Sequence, residues 1–512
     1  MCRGGRLAGS KPIARRDDEP NLIELTRDSL RTVAQALPDR LRAIVGSEHF
    51  LQGEQMDEYG HDATFMEAPA LCAVRPADTD QVAAVVRECA AERVPIVARG
   101  SGTSLVGGPV PMAGGVVVSL ERLTKLEIDG PNTVATVGAG VITANLDRAA
   151  NDHGLMYPPD PASIEMSTIG GNVACNSGGM RCVKYGVTAD YVIGATVVLA
   201  DGRVMRLGGK LRKRASGYRL LQLFVGSEGT LGIITEVIVK LVPLPRFRAT
   251  AMIGFATLED AGLAVSRSLA AGHFPAAIEI LDRGSLELVR DKLPPGFEPH
   301  LEAVLIVEQD GNDEEFVRLD LMRMVEVLDG ADNRIAQSSL ERDKLWDARR
   351  SYGKVLMAMP KNFFAEDVAV PIAEVPEMIR RVHELARETG LRIVTVGHAG
   401  DGNLHPTILF TDEQRHLVSH AAAQIFRDAL SLGGSVSAEH GLGALKRDFA
   451  EREHGPIAIE LMRRMKAVLD PDGILNPHKM FPEQPADDEF LNAMPGWIPD
   501  PDRRPRRAEL GL

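Results

Sequence analysis

The stretch Arg99-Gly-Ser-Gly-Thr-Ser-Leu-Val-Gly-Gly108 decides how the first half of the chain folds. A strand-like apolar run at 94–98 precedes it, and a second strand-like run at 115–120 follows it. Its glycines let the backbone turn N–H groups toward phosphate oxygens, and its hydroxyl side chains add donors. It is not a Rossmann fingerprint, because the third glycine is missing and no helix follows. The stretch therefore predicts a phosphate-binding loop, with an ordinary glycine-rich turn as the alternative.

Two further tracts rich in small residues lie downstream. They are Ser167-Thr-Ile-Gly-Gly-Asn-Val-Ala-Cys-Asn-Ser-Gly-Gly179, which follows the proline-rich segment 157–163, and Gly226-Ser-Glu-Gly-Thr-Leu-Gly-Ile-Ile-Thr235. Small residues beside apolar strands indicate a backbone that packs closely on a flat ligand. The short strands and glycine turns around them predict an α+β domain that ends near residue 245.

The second half of the chain begins with a different pattern. Residues 248–337 alternate between strand-like and helix-like runs in the order β-α-β-β-α-β, which predicts a ferredoxin-like antiparallel layer. A helical pattern at 457–469 ends at Asp470-Pro-Asp-Gly473, which is a strong helix stop.

A metal site is predicted within Val396-Gly-His-Ala-Gly-Asp-Gly-Asn-Leu-His-Pro406. If Asp401 and Gly402 form a two-residue type I′ turn, His398 and His405 lie directly opposite each other in a hairpin. Glu439, at the end of another short β-like run, supplies a carboxylate. Two histidines and one carboxylate are a recurrent catalytic metal set, with zinc as first choice and manganese or iron as alternatives. Two loop histidines with no metal are the other interpretation.

Three more residues are candidates for catalysis. His440 follows a predicted ligand and is expected to act as a base, with a fourth metal ligand as the alternative. Trp346 and Arg349 share one face of a helical pattern, and a guanidinium can clamp a carboxylate with two parallel hydrogen bonds. A solvated charge is the other interpretation of Arg349. Lys361 is a weaker second cation.

Composition limits the classes of function. The chain has 512 residues, 44% of them hydrophobic, with a net charge of −13 that argues against nucleic-acid binding. No apolar run approaches the roughly 18 residues of a membrane span. Five cysteines without a Cys-x-x-Cys pair indicate a reducing compartment, and residues 1–20 lack the apolar core of a signal peptide. We therefore expect a cytoplasmic protein, with peripheral attachment to the inner face of a membrane as an alternative.

The three small-residue tracts resemble the flavin-binding segments of FAD-linked oxidases related to vanillyl-alcohol oxidase. From about residue 40 to 482 the chain resembles the D-lactate, glycolate and D-2-hydroxyglutarate dehydrogenase family. The resemblance implies an α+β fold with a PCMH-type FAD-binding domain and a ferredoxin-like antiparallel α+β cap. The expected divisions are a disordered lead-in at 1–20, the FAD-binding domain at 21–246 with its core at 66–246, the cap at 247–450, a helical segment returning to the flavin at 451–482, and a polar tail at 483–512.

The resemblance also implies the cofactor site. Neither glycine-rich loop carries a histidine where relatives attach the flavin, so the FAD is expected to be non-covalent. The residues expected to bind it are Arg99, Gly100, Ser101, Gly102, Thr103, Ser104, Pro159, Asp160, Ser167, Thr168, Gly170, Gly171, Asn172, Asn176, Gly178, Gly179, Tyr185, Gly186, Glu228, Gly232, Ile233 and Asn476. Cys175 is interpreted as a packing residue without a redox role.

The activity implied is oxidation of a small D-2-hydroxy acid, D-lactate or glycolate first, to the 2-keto acid. FAD takes a hydride, the metal activates the hydroxyl, His440 takes its proton, and Arg349, which matches the family's Trp-x-x-Arg pattern, holds the carboxylate. The lysine that some relatives place near Asp367 is replaced by Ala365, which counts against D-2-hydroxyglutarate.

Expected partners are the substrate and an electron acceptor, which is a quinone, an iron–sulfur subunit or an electron-transfer protein. A homodimer is one expected assembly, and the basic patch at 503–507 is expected to be solvated, with an acidic partner or lipid as the alternative. Four other functions stay open. They are a D-2-hydroxyglutarate dehydrogenase, a non-catalytic flavin companion subunit of a glycolate oxidase complex, a metallohydrolase and a flavin ether-lipid synthase.

Overall fold

The computed structural model describes residues 27–64, 66–294, 297, 301–359 and 362–483. The predicted lead-in at 1–20, the first part of the chain at 21–26, Lys361 and the predicted tail from residue 484 onward, including the basic patch, lie outside the described residues. The described chain combines helices with mainly antiparallel sheets, as the expected α+β class requires.

The described chain begins with a small sheet and two helices packed on it. Its elements are α1 (Arg27–Val45), β1 (Phe50–Leu51), β2 (Cys72–Val74), α2 (Thr79–Ala91), β3 (Ile96–Arg99) and β4 (Val116–Ser119). The strand order is β1-β2-β4-β3, and β2, β4 and β3 are parallel. Strands covered on both faces are continuous apolar runs, as in β4. Because β4 follows the Arg99 stretch, that stretch lies between strands as predicted.

A second sheet follows and is antiparallel. Its order is β5-β6-β10-β8-β9, while a separate pair joins β11 to β7. The elements of this region are β5 (Leu126–Asp129), β6 (Val134–Gly138), α3 (Thr143–Asn151), β7 (Leu155–Met156), α4 (Ile169–Cys175), α5 (Cys182–Tyr185), α6 (Thr188–Tyr191), β8 (Val192–Val198), β9 (Val204–Gly208), α7 (Leu221–Phe224), β10 (Ile233–Lys240) and β11 (Val242–Pro243). The second small-residue tract thus forms α4, capped by the Thr168 hydroxyl, which accepts a 3.3 Å hydrogen bond from Gly171 N.

The predicted ferredoxin-like layer is confirmed. Its elements are β12 (Phe247–Phe255), α8 (Leu258–Ala270), β13 (Ala277–Asp282), α9 (Arg283–Leu288), β14 (Ala303–Gly311), α10 (Glu314–Leu328) and β15 (Asp332–Ile335). The strand order is β15-β12-β14-β13, and all neighbours are antiparallel. The apolar faces of α8 and α10 pack against this sheet in one continuous core.

The same sheet continues from β13 into the hairpin that carries the predicted metal ligands. The added strands follow the order β18-β19-β16, and β17 also pairs with β19. The elements of this region are α11 (Ser339–Ala358), β16 (Asn362–Ala365), β17 (Val368–Ala369), α12 (Val375–Thr389), β18 (Arg392–His398), β19 (Asn403–Phe410) and α13 (Arg415–Ser431).

The two-residue turn predicted for this hairpin is wrong. Residues 399–402 all lie between β18 and β19, and of the predicted turn pair only Gly402 has a positive φ, +84°. His398 therefore pairs with Asn403, and His405 pairs with Val396. This register differs from the predicted one by two residues, so every side chain keeps its face of the sheet. The two imidazoles still meet, as diagonal neighbours.

The end of the described chain returns to the first sheet. Helix α14 (Ala450–Leu469) is interrupted at Gly455, where φ is +77° and Pro456 follows, so its second part matches the predicted helix. Asn476 N then donates to Ile96 O at 2.8 Å. Short 3₁₀ turns lie at Ser47–His49, Gly53–Tyr59, Gly130–Asn132, Arg290–Lys292, Ile372–Glu374, Asp412–Gln414 and Arg447–Phe449. Of the helices in the described ranges, none has the length and apolar character that crossing a bilayer requires.

Candidate active site

Two histidines and a glutamate converge at the tip of the β18–β19 hairpin. The Nε2 atoms of His398 and His405 are 3.5 Å apart. Glu439, from the loop between α13 and α14, places Oε1 3.2 Å from His405 Nε2 and 3.6 Å from His398 Nε2. The structure therefore brings together the three residues that the sequence predicts as metal ligands.

This donor set fits a divalent metal. Ligand atoms about 2.0–2.1 Å from zinc at tetrahedral angles lie roughly 3.3 Å from one another, which is close to the three separations observed. Imidazole and carboxylate ligands also suit manganese and iron. Metal binding itself stays a prediction.

A buried carboxylate that sequence reasoning missed holds His398. Glu279 lies opposite His398 in the pairing of β13 with β18, and its Oε1 is 2.5 Å from His398 Nδ1. Because Nδ1–H donates to Glu279, Nε2 keeps its lone pair for a metal. Burial acts to lower the pKa of His398, but the charge of Glu279 outweighs it and raises that pKa well above its usual value. A metal must therefore displace a proton here.

Arg349 contacts the same glutamate. Its Nε donates to Glu279 Oε2 at 2.6 Å, and only 13% of its side chain is exposed. The interpretation of Arg349 as a solvated surface charge is therefore wrong. Trp346 is buried and donates from Nε1 to Glu308 Oε2 at 2.9 Å, so its role is in packing.

A second buried carboxylate, Asp367, lies behind His405 and His440. Its Oδ2 accepts hydrogen bonds from the Ser437 hydroxyl and from three consecutive backbone amides, 438–440, at 2.8–3.0 Å. The two imidazole rings stack with centroids 5.5 Å apart, and His440 Nδ1 lies 4.0 Å from Asp367 Oδ2. Asp367 thus holds the loop that presents both Glu439 and His440.

The charges around these side chains set their protonation. Burial acts to raise the pKa of Glu439 and of Asp367, but the neighbouring histidines hold the first well below its usual range, and His440 with Lys446 holds the second at about 2. Burial lowers the pKa of His440, which Asp367 only partly opposes. His440 is therefore a neutral ring at pH 7 and is able to accept a proton.

An open cavity joins this cluster to the first half of the chain. Glu439 and His440 line one part of it, and the three small-residue tracts line the rest. Glycine is required for this close approach, because a Cβ on Gly100 would lie 2.3 Å from Thr168 Oγ1 and one on Gly170 would lie 2.6 Å from Ala139 Cβ.

Most of the residues predicted to bind FAD line this cavity. They are Arg99, Gly100, Ser101, Gly102, Thr103, Ser104, Ser167, Thr168, Gly170, Gly171, Asn172, Glu228, Gly232 and Asn476. Within the described chain, Asn476 Oδ1 is buried and has no hydrogen-bond partner, while its Nδ2 donates to Glu228 O at 2.6 Å. An unpartnered amide oxygen, loop N–H groups and hydroxyls in one cavity fit the polar edges of FAD.

The other predicted cofactor residues do not line the cavity. They are Pro159, Asp160, Asn176, Gly178, Gly179, Tyr185, Gly186 and Ile233. Asp160 Oδ1 accepts from Arg181 N at 3.1 Å, Asn176 Oδ1 accepts from Ala189 N at 2.8 Å, and the Tyr185 hydroxyl donates to Asp310 at 2.7 Å. These side chains are therefore committed to local and interdomain contacts.

The structure differs from the prediction that Ile233 binds FAD. Its side chain packs in the core behind β4, whereas Gly232 and Ile234 line the cavity. Residues at positions i and i+2 share a face of a strand, so the alternation along β10 was the signal that would have found Ile234. The cavity is also lined by Pro161, Ser163, Ala174 and Ser177, which the sequence analysis did not name individually although they lie within the tract at 158–179 expected along the flavin.

Comparison with protein families and curated proteins gives consistent matches. The family model described as FAD binding domain matches residues 70–208, and the model described as FAD linked oxidases, C-terminal domain, matches residues 244–480. Glycolate oxidase subunit GlcD of Bacillus subtilis is 43% identical over 83% of this chain and 92% of the relative. D-lactate dehydrogenase of Archaeoglobus fulgidus is 38% identical, with 80% and 90% covered. D-2-hydroxyglutarate dehydrogenase of Stutzerimonas stutzeri is 34% identical, with 87% and 99% covered.

Solved structures share the fold at lower identity. The 4-ethylphenol oxidase of Gulosibacter chungangensis superposes with a TM-score of 0.71 at 20% identity, over 90% of this chain and 98% of that chain. For p-cresol methylhydroxylase the TM-score is 0.70 at 18% identity, over 89% and 97%. The expected PCMH-type FAD-binding architecture is confirmed.

Proposed function

Because the chain belongs to the family of FAD-linked oxidases, it is an FAD-dependent oxidoreductase, and we propose that it oxidises glycolate or D-lactate to the 2-keto acid. One observation carries the proposal. Glu439 and His440 line the same cavity as the glycine tracts, and Glu439 also belongs to the His398–His405–Glu439 cluster. A metal held by the cluster and a flavin held by the glycine tracts would therefore share one substrate space.

Each part of the site has a separate role in the proposed reaction. FAD held by the glycine tracts would supply a hydride acceptor beside the substrate carbon. A divalent cation, when held by His398, His405 and Glu439, supplies positive charge that favours loss of the hydroxyl proton. His440 accepts that proton, and Asp367 behind it stabilises the charged ring that results. Glu279 keeps Nε2 of His398 directed at the cluster.

A comparison of magnitudes assigns the larger share of the rate acceleration to the cation. A divalent metal can lower the pKa of a bound water molecule from about 15.7 to about 7, which corresponds to on the order of 12 kcal/mol. Even half of that free energy corresponds to a larger rate acceleration than the roughly 10²–10⁴-fold that a general base typically contributes.

We assign the halves of the chain accordingly. Residues 21–246 bind FAD, residues 247–450 form the cap and hold the metal, and residues 451–482 return to the flavin. The connection between β11 and β12 supports the first boundary, and the bond from Asn476 to Glu228 O supports the return. The electron acceptor that we propose is a quinone, an iron–sulfur subunit or an electron-transfer protein.

A dye-reduction screen tests the proposal. Glycolate, D-lactate and D-2-hydroxyglutarate are compared, each with and without a chelator, and L-lactate is the control. We expect a yellow protein that reduces the dye with glycolate or D-lactate, loses the activity with chelator and regains it with added zinc or manganese. D-2-hydroxyglutarate should react more slowly, because Ala365 supplies no second cation. Dye reduction that ignores the chelator would exclude the metal, and reduction by none of the acids would exclude the proposal.

Arg349→Ala is expected to raise the substrate concentration for half-maximal rate by about tenfold to a hundredfold. The substrate carboxylate would lose its charge-assisted hydrogen bond to the guanidinium, and such a bond typically contributes about 1.5–3 kcal/mol. Steady-state kinetics measure the change, with flavin absorbance and metal content as checks on the site. Arg350→Ala is the matched control, because this neighbour is exposed and pairs only loosely with Asp343 at 3.8 Å. An unchanged substrate requirement in Arg349→Ala would retire the clamp role.

A further inference from the structure

An exposed loop rich in cations lies between β9 and α7, far along the chain from the predicted ligands. We call residues 209–220 the basic loop. It carries five cations, Lys210, Arg212, Lys213, Arg214 and Arg219, and no acidic residue, although the whole chain has a net charge of −13. Every residue from 211 to 220 is exposed. The loop is therefore a local positive projection on an acidic molecule.

Most of this charge is not used by the fold. Lys210 pairs with Asp129 at 2.8 Å. In the described part of the chain, the other four cations have no carboxylate within ion-pair distance. Arg212 donates to the Thr133 hydroxyl, and Arg214 donates to Gly208 O at 3.3 Å. Their positive charges are therefore available to an external anion.

Large apolar side chains alternate with these cations. Tyr218 is 96% exposed, Leu211 is 65% exposed and Leu220 is 43% exposed. Arginine and lysine beside tyrosine and leucine match the layered chemistry of a bilayer surface, where phosphates lie outside the acyl chains.

Three cations also surround one shallow depression at the base of the loop. Arg212, Arg219 and Lys240 line it, together with Gln222 and Asp190. The carboxylate of Asp190 is engaged with Val187 N at 2.9 Å. Guanidinium and ammonium groups around one depression are the donors that bind a phosphate headgroup.

We propose that the basic loop binds the surface of an anionic phospholipid bilayer. Its cations contact the headgroup phosphates, and Leu211 and Tyr218 reach the boundary with the acyl chains. The inference goes beyond the proposed oxidation and does not depend on it, since none of these residues lines the cavity of the glycine tracts or belongs to the His398–His405–Glu439 cluster.

Vesicle co-sedimentation of the full chain tests the proposal. We expect binding to vesicles of equal parts phosphatidylglycerol and phosphatidylcholine at physiological salt, and at least about tenfold weaker binding to pure phosphatidylcholine, because each cation near an anionic surface adds roughly fivefold. The variant Arg212→Gln, Lys213→Gln, Arg214→Gln, Arg219→Gln should bind at least about tenfold more weakly. Leu211→Ser with Tyr218→Ser should lower the binding that survives high salt by roughly threefold or more.

The matched control removes four exposed cations from the cap, Arg318, Arg323, Lys344 and Lys354, by glutamine substitution. It changes the net charge equally and should keep wild-type binding. Flavin absorbance and dye reduction in solution should be unchanged in all three variants, so a folding defect or a failure of the proposed oxidation is detected separately. Equal binding of wild type to both vesicle types, or equal loss in the cap control, would overturn the proposal in favour of a non-specific or protein-directed charge effect.

Discussion

Replacing His405 or Glu439 with alanine is expected to cut turnover at least roughly a hundredfold while the flavin stays bound. The two Nε2 atoms and the Glu439 carboxylate lie within 3.6 Å of one another, so removing either partner leaves two ligands for a cation. Neither the cavity's glycine tracts nor Asn476 changes in these variants. Metal analysis, flavin absorbance and dye-reduction rate measured on the same samples separate the three effects.

Exposed residues of the same type provide the controls. His416 lies on the surface at the start of α13, and Glu413 is exposed just before it. His416→Ala and Glu413→Ala should therefore keep the metal content and rate of the wild type. Near-normal rates from His405→Ala or Glu439→Ala would remove the metal from the mechanism.

His440→Ala is expected to slow turnover by about 10²–10⁴-fold, the range typical of losing a general base. The ring accepts a proton only when it is neutral, so kcat/KM should be constant at high pH and should fall as pH drops through the pKa of His440. Burial lowers that pKa below its usual value of 6.5. The acid limb of the wild-type profile should therefore lie below pH 6.5 and should be absent in the variant.

Metal content across the same pH range completes this test. His398 has a pKa raised by Glu279 and releases a metal as it becomes protonated, so rates are compared only where the metal is retained. If His440→Ala loses its metal at pH 7, His440 is a fourth ligand and not the base. If the variant keeps both metal and rate, His440 has neither role.

Local patterns were sufficient to predict the α+β class and the cap layer, whereas the PCMH-type architecture was implied by the resemblance to the family. The β-α-β-β-α-β order depends on apolar periodicity within short windows, and it predicts the layer from β12 to β15 correctly. In the β18–β19 hairpin, the wrong turn and register did not affect the prediction that the two histidines lie together. The register differs by two residues, and two is the repeat of a strand, so His398 and His405 keep a common face.

Contacts between distant strands could not be read in the same way. Glu279 lies 119 residues before His398, and only the pairing of β13 with β18 brings them together. Its signal was a carboxylate in the middle of the apolar strand Ala277–Asp282, where a buried charge needs a partner. The local helical pattern around Arg349 suggested exposure or a substrate clamp, but it gave no indication of the bond to Glu279.

The cavity lined by the glycine tracts also has residues from the last part of the described chain. Glu439, His440 and Asn476 line it, and the Glu228 carboxylate accepts the amides of Leu442 and Gly443 at 2.7 and 2.8 Å. During synthesis, the last residues that line the cavity therefore leave the ribosome only after nearly all of the polypeptide has been made. Completion of the cofactor site is consequently a late event in biogenesis, and a truncated product that stops after the first domain would lack Glu439, His440 and Asn476 from its flavin site.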